Sequence, residues 1–175
     1  MKTSIKLFIA ICSVLISSSA LAVDGTINIT GNIIDASCTI SINGGAANTT
    51  VELPKVSTTA LASDGAVAGS MPLNFNLSGC PPNSVVLASF ESNNVDQSTG
   101  FLANKSAAPA GNVEVQILNR NGHVIDLRNQ VNNFGGFTDA IGNTNLTFNL
   151  RYVAVGGAAT AGGVDTLLVY TLHYP

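Results

Sequence analysis

Apolar residues recur at every second position along this chain. Leu73, Phe75 and Leu77 alternate with Asn74, Asn76 and Ser78, and Leu146, Phe148, Leu150 and Tyr152 alternate with Thr147, Asn149 and Arg151. A period of two sends successive side chains to opposite faces of an extended chain, so these segments read as half-buried β-strands; a helical period does not recur. Val113, Val115 and Ile117 run into Asn121-Gly122 and out through Val124 and Leu127, a hairpin whose turn pair tolerates positive φ. Further strand candidates are Ile33 to Ile40, Thr50 to Leu53, Val85 to Phe90 and Asp165 to Tyr174. Clusters of Gly, Ala, Asn and Ser at 43–48, 65–70, 107–111 and 156–163 separate them. Roughly seven short strands with turn signals between them predict an antiparallel β-sandwich.

The start of the chain reads differently. Lys2 and Lys6 precede an apolar run from Leu7 to Ile16, and Ala20-Leu21-Ala22 forms a small-residue cleavage pattern. This is the layout of an export signal over 1–22, with the mature chain beginning at Val23. The apolar run is well short of the ~20 residues that a membrane-spanning helix needs. Cys12 leaves with the signal, so Cys38 and Cys80 remain. A cysteine pair in an exported chain implies one disulfide, and closing a loop of this length is worth about 4 kcal/mol in the chain-entropy model. No histidine stands near either thiol as zinc would require, and no C-x-x-C redox motif is present. The chain contains no Trp, so an antibody-like core is not expected. Cys38 is early, on the first candidate strand, which predicts a disulfide between neighbouring early strands.

Removing the signal leaves five basic and ten acidic residues, a net charge of −5. Phosphate backbones are bound by clustered Lys and Arg, so nucleic acid is not an expected partner. Only 10% of residues are charged, and the surface must be covered largely by neutral polar groups. The sequence offers no catalytic constellation, metal site or cofactor motif. His123 and His173 have no Cys, Asp or Glu at metal or triad spacing, and no serine sits in a Gly-x-Ser-x-Gly elbow. No small-molecule substrate and no enzymatic activity are expected. Five Asn-x-Ser/Thr sequons, at Asn28, Asn48, Asn76, Asn104 and Asn145, fit the abundance of Asn, Ser and Thr.

Two strands at the chain ends are apolar enough on one face to demand a partner. In the first, Ile27, Ile29, Gly31 and Ile33 share a face opposite Thr26, Asn28, Thr30 and Asn32; in the last, Leu168, Tyr170, Leu172 and Tyr174 alternate with Val169, Thr171 and His173. Periodicity leaves open whether each is an ordinary sandwich strand, and Gly31 suits either a close approach to a facing wall or a β-bulge.

In combination these features resemble the pilins of the bacterial chaperone–usher pathway, in particular type 1 fimbrial subunits. The segment from Gly25 to Cys38 looks like the family's donor strand, with alternating apolar residues, an internal Gly and a Cys shortly after it. Cys80 follows a strand in Asn76-Leu77-Ser78-Gly79-Cys80, the run from Asn112 to Gly122 is similar to that leading into a hairpin in major subunits, and Arg151-Tyr152 precedes a Gly/Ala-rich loop. Gly162 and the penultimate Tyr174 occupy the places of the family's C-terminal signature, although the terminal Pro175 departs from it by lacking an amide donor.

The resemblance implies an all-β fold: an incomplete immunoglobulin-like β-sandwich missing its last strand, with an N-terminal donor-strand extension over 23–32 and a pilin domain over 33–175. It implies a structural subunit of a fimbria that polymerises by donor-strand exchange and contributes to cell adhesion. Ile27, Ile29, Gly31 and Ile33 would be donated to a neighbouring subunit. Gly162, Leu168, Tyr170, Leu172 and Tyr174 would belong to the acceptor groove and the chaperone-binding C-terminal strand. The implied partners are other fimbrial subunits, a periplasmic chaperone and an outer-membrane usher, with export through the periplasm to the cell surface. A monomeric secreted binding module that keeps its N-terminal strand for itself, and a minor tip or adaptor subunit, are the alternatives.

Overall fold

The alternating segments fold as strands. The computed structural model describes residues 38–174; the expected signal at 1–22, the segment carrying Ile27, Ile29, Gly31 and Ile33, and Pro175 lie outside the described residues. Seven strands follow in order: β1 Thr39–Ile42, β2 Val67–Ser78, β3 Val85–Phe90, β4 Val113–Leu118, β5 Gly136–Phe137, β6 Thr144–Ala154 and β7 Tyr170–His173. A 3₁₀ turn, Thr58–Leu61, begins at Ser57, whose hydroxyl accepts the Thr59 N–H. The strands form two antiparallel sheets, ordered β1-β2-β6-β4 and β5-β3-β7.

The period of two decides which side chains meet between the sheets. Leu73, Phe75 and Leu77 of β2 and Leu146, Phe148 and Leu150 of β6 are buried, with Phe75 opposite Leu146 and Leu73 opposite Phe148. The second sheet contributes Val86, Ala88 and Phe90 from β3. Without Trp, edge-to-face rings fill the centre: Phe75 lies 5.6 Å from Phe148 and 4.8 Å from Tyr170, and Phe90 lies 5.2 Å from Phe148. Pairs of this geometry add about 0.5–1.5 kcal/mol beyond the area they bury. The outer face of the larger sheet is polar, as where Asn76 faces Asn145 and Arg151 donates to Gln116 at 2.8 Å.

Four segments depart from the sequence-based expectation. The 65–70 cluster, read as a loop, is mostly strand: β2 starts at Val67 and absorbs the cluster in a register shift between Ala68 and Met71. Gly69 has φ 67°, and a Cβ there would meet the Tyr152 ring at 2.8 Å, so only glycine allows this bulge against its neighbour. The return arm of the Asn121-Gly122 hairpin is reduced to a bridge between Leu118 and Val124, because Asn132 and Asn119 side chains take over bonding there. Thr50 to Leu53 and Asp165 to Val169 form no ladder among the described residues.

Cys38 and Cys80 are joined, with Cα atoms 4.4 Å apart. The bond ties the start of β1 to the end of β2 beside the Thr39–Ser78 pair, so neighbouring strands are linked as the early cysteine predicts. It closes a separation of 42 residues. Replacing both cysteines by Ser is expected to destabilise the protein by about 4 kcal/mol, read as a lower urea midpoint.

Every residue of β4 is buried, Glu114 included. Burial raises the Glu114 carboxyl above its ordinary value of 4.5, the Thr99 hydroxyl bonded to it at 2.7 Å opposes the shift, and the charge of Asp96 adds to it. The folded protein therefore holds this proton more tightly than the unfolded chain. Stability attributable to Glu114 falls as pH rises from 4.5 through the raised value. Glu114→Gln, which keeps an acceptor for Thr99, is expected to stabilise the protein at neutral pH and to flatten that decline in denaturation measured across the acid-to-neutral range.

Candidate strand-acceptor groove

The C-terminal strand alternates as its sequence does. Val164, Thr166, Leu168, Tyr170, Leu172 and Tyr174 are half-buried, whereas Asp165, Leu167, Val169, Thr171 and His173 are exposed. Among the described residues its backbone is bonded along one side only. Tyr170–His173 pair with β3, Val169 C=O accepts from Glu91 N–H, Asp165 C=O accepts from Lys105 N–H, and Asp165 N–H donates to the Asn104 carboxamide. In an antiparallel strand alternate residues bond to opposite sides. Thr166 and Leu168 are the alternate residues, and among the described residues their N–H and C=O groups have no partner.

Facing this edge is the extended stretch from Thr49 to Val56, which likewise makes no backbone hydrogen bond among the described residues. Between the two runs a groove of about 560 Å³. Val51 and Leu53 form one wall, Val164 and Leu168 the other, and Leu73, Phe75, Leu102 and Leu150 the floor. A second depression of about 490 Å³ shares Tyr152 and Val164 with the first and extends it toward Val56, Leu61 and Gly162. The result is a track with an apolar bottom and bare backbone on both sides. One extended chain, and not a compact ligand, satisfies that combination: its amides meet the edges, and alternate side chains meet the floor. The missing ladder at 50–53 and 165–169 has the same cause: among the described residues no strand lies between the two stretches.

Tyrosines and asparagines hold the walls at this separation. Tyr170 packs its ring edge-on to Phe75 and donates its hydroxyl to Ala47 C=O at 3.0 Å, crossing the groove end. Tyr174 accepts from Cys38 N–H at 3.3 Å. Burial raises the Tyr170 phenol above its ordinary value, which keeps it a neutral donor. Asn104 donates to Ala110 C=O and Gly163 C=O while accepting from Asp165 N–H, and Asn94 donates to the Thr166 hydroxyl at 2.7 Å. At the far end a Cβ on Gly162 would strike the Ala110 backbone nitrogen, so this glycine is required by a close chain approach. Leu172 packs on the core from β7.

Comparison with known proteins agrees with this fold. A family model described as "Fimbrial protein" matches residues 27–175. The chain belongs to the fimbrial protein family. It is 37% identical to the F17 fimbrial protein of Escherichia coli, with 97% of this chain and 98% of that protein covered. It is 36% identical to the major fimbrial subunit SMF-1 of Stenotrophomonas maltophilia strain K279a, over 89% and 95%. The solved P pilus rod subunit PapA shares the fold, with a TM-score of 0.58 at 19% identity over 86% of this chain and 99% of that one. This fimbrial protein is therefore a structural subunit, with other fimbrial subunits as its partners in a surface fibre.

The groove of this fimbrial protein involves residues to which its sequence assigned no groove role. Val51 and Leu53 read as an ordinary strand, and Asn94 and Asn104 carry no periodic signal; only long-range contacts reveal them. Tyr170→Phe, which removes the hydroxyl bond to Ala47 while keeping the ring, is expected to cost about 1 kcal/mol. Gly162→Ala is expected to cost about 1–3 kcal/mol through backbone overlap, both read from denaturation midpoints of the purified protein.

Proposed function

We propose that this protein is a fibre-building fimbrial subunit that polymerises by donor-strand exchange and contributes to cell adhesion. Residues 1–22 direct export and are removed, 23–32 form the donor strand, and 33–175 form the pilin domain. Strand addition at an open sheet edge is an established mode by which pilins are complemented. The observation that carries the reading is the groove whose two walls present unpaired backbone over an apolar floor.

Ile27, Ile29 and Ile33 match that floor in chemistry, and Gly31 suits the point of closest approach. Burying the three isoleucines at about 1.5–3 kcal/mol each provides on the order of 5–9 kcal/mol before the ladder bonds are counted. An apolar groove left open would expose the core during export. A periplasmic chaperone strand occupies it first, and at the outer-membrane usher the next subunit's N-terminal strand replaces the chaperone. Leu168, Tyr170, Leu172 and Tyr174 supply the strand against which both occupants lie, with Gly162 at its approach. The protein acts through assembly and carries no enzymatic activity.

Deleting 23–32 in a cell that supplies a cognate chaperone and usher tests this. The shortened chain is expected to be recovered with the chaperone and to be lost from heat-sensitive ladders on denaturing gels, which the full chain forms. Ladders from the shortened chain would falsify the donor assignment.

A further inference from the structure

Beyond the groove, the described surface carries large apolar side chains at one end of the fold. Val85 and Phe137 are cross-strand partners on β3 and the short edge strand β5, exposed by 41% and 66%, and Phe134 beside them is exposed by 50%. Ile141, at the tip of the following turn, is exposed by 75%. Arg120 borders the same depression as Val85, Phe134 and Phe137, and Asp139 is committed to the turn of Ile141, accepting from Ile141 N–H at 3.0 Å and Asn143 N–H at 2.8 Å. Isolated exposed apolar residues are ordinary, but a group of this kind on a chain with 10% charged residues is a surface that calls for cover.

What covers it follows from where the chain leaves the domain. Gly142 C=O accepts from Cys80 N–H at 3.0 Å, and Cys80 is bonded to Cys38 with Cα atoms 4.4 Å apart. Through those contacts Ile141 lies within about 15 Å of Cys38 by standard bond lengths. Thr138, next to Phe137, donates its hydroxyl to Pro81 C=O at 2.7 Å and so anchors β5 to the same corner. In the proposed assembly Ile33 is seated in a neighbour's groove. Five residue steps from Ile33 reach Cys38, at most about 18 Å of extended chain. The neighbour's groove mouth is thus held within about 18 Å of Cys38, the corner that carries the Ile141 turn and the anchor of β5.

We propose that Val85, Phe137 and Ile141 form a body-to-body contact with the subunit whose groove this chain's own N-terminal strand fills. The proposal rests on the donor-strand reading above. Covalent continuity from Ile33 to Cys38 keeps the two bodies together at high effective concentration, so a patch too small to hold free subunits suffices to fix their relative orientation. The donor strand then supplies attachment, and this patch limits bending of the joint.

The test uses the full chain assembled with its chaperone and usher, with a photo-crosslinking side chain in place of Phe137 or Ile141 and, for comparison, of Thr147 on the exposed polar face of β6. Irradiated fibres are expected to yield subunit–subunit adducts from positions 137 and 141 that map to peptides bordering the groove, 49–56 or 159–168, and none from 147. Normal ladders without such adducts, adducts mapping elsewhere, or equal capture from 147 overturn the proposal. Absence of ladders from the unsubstituted chain overturns the donor-strand reading on which it rests.

Discussion

A sheet edge that ends on bare backbone governs the rest of this molecule. Among the described residues, Thr166 and Leu168 present unpaired N–H and C=O groups, and the stretch from Thr49 to Val56 presents more across an apolar floor. Unpaired backbone beside apolar surface is costly in two ways at once, since the amides need partners and the floor needs cover. Only an added strand removes both costs. Among the described residues, the fold therefore calls for one more strand at this edge.

An unfilled groove also has to keep its width, and the side chains around it do this work. Tyr170 anchors its ring on Phe75 and reaches Ala47 across the end of the track, while Tyr174 meets Cys38. Asn94 and Asn104 bind the outer side of the C-terminal strand, substituting side-chain amides for the ladder that residues 164–169 lack. The disulfide, near Tyr174, ties β1 to β2, so the wall that begins at β1 is fixed covalently to the central sheet. Rigidity in the walls lowers the ordering cost of whatever strand enters.

The disulfide corner unites two roles. It is where the chain passes from the segment outside the described residues into the domain, and it is where the turn of Ile141 and the β5 edge are anchored. A polymer joined by short covalent tethers has its subunit bodies brought together at such a corner, which gives meaning to apolar residues that a monomer would have no reason to expose there.

Alternation alone determined that this chain is all-β and which faces of Leu73–Leu77, Leu146–Tyr152 and Leu168–Tyr174 turn inward, because side-chain direction in a strand is a local consequence of backbone geometry. The cysteine pair and its early first member likewise announced a bond between neighbouring strands, and the family resemblance, not periodicity, pointed to Gly162 and the terminal tyrosines as groove residues. The bulge at Gly69, the asparagine scaffold and the loss of ladder at Thr50–Leu53 were not legible, since each depends on a partner far along the chain. Strand pairing is a contest among distant segments, decided by packing and by which edges remain free. Thus the sequence determined that strands needing partners exist, and only the tertiary structure decided which edge is left without one.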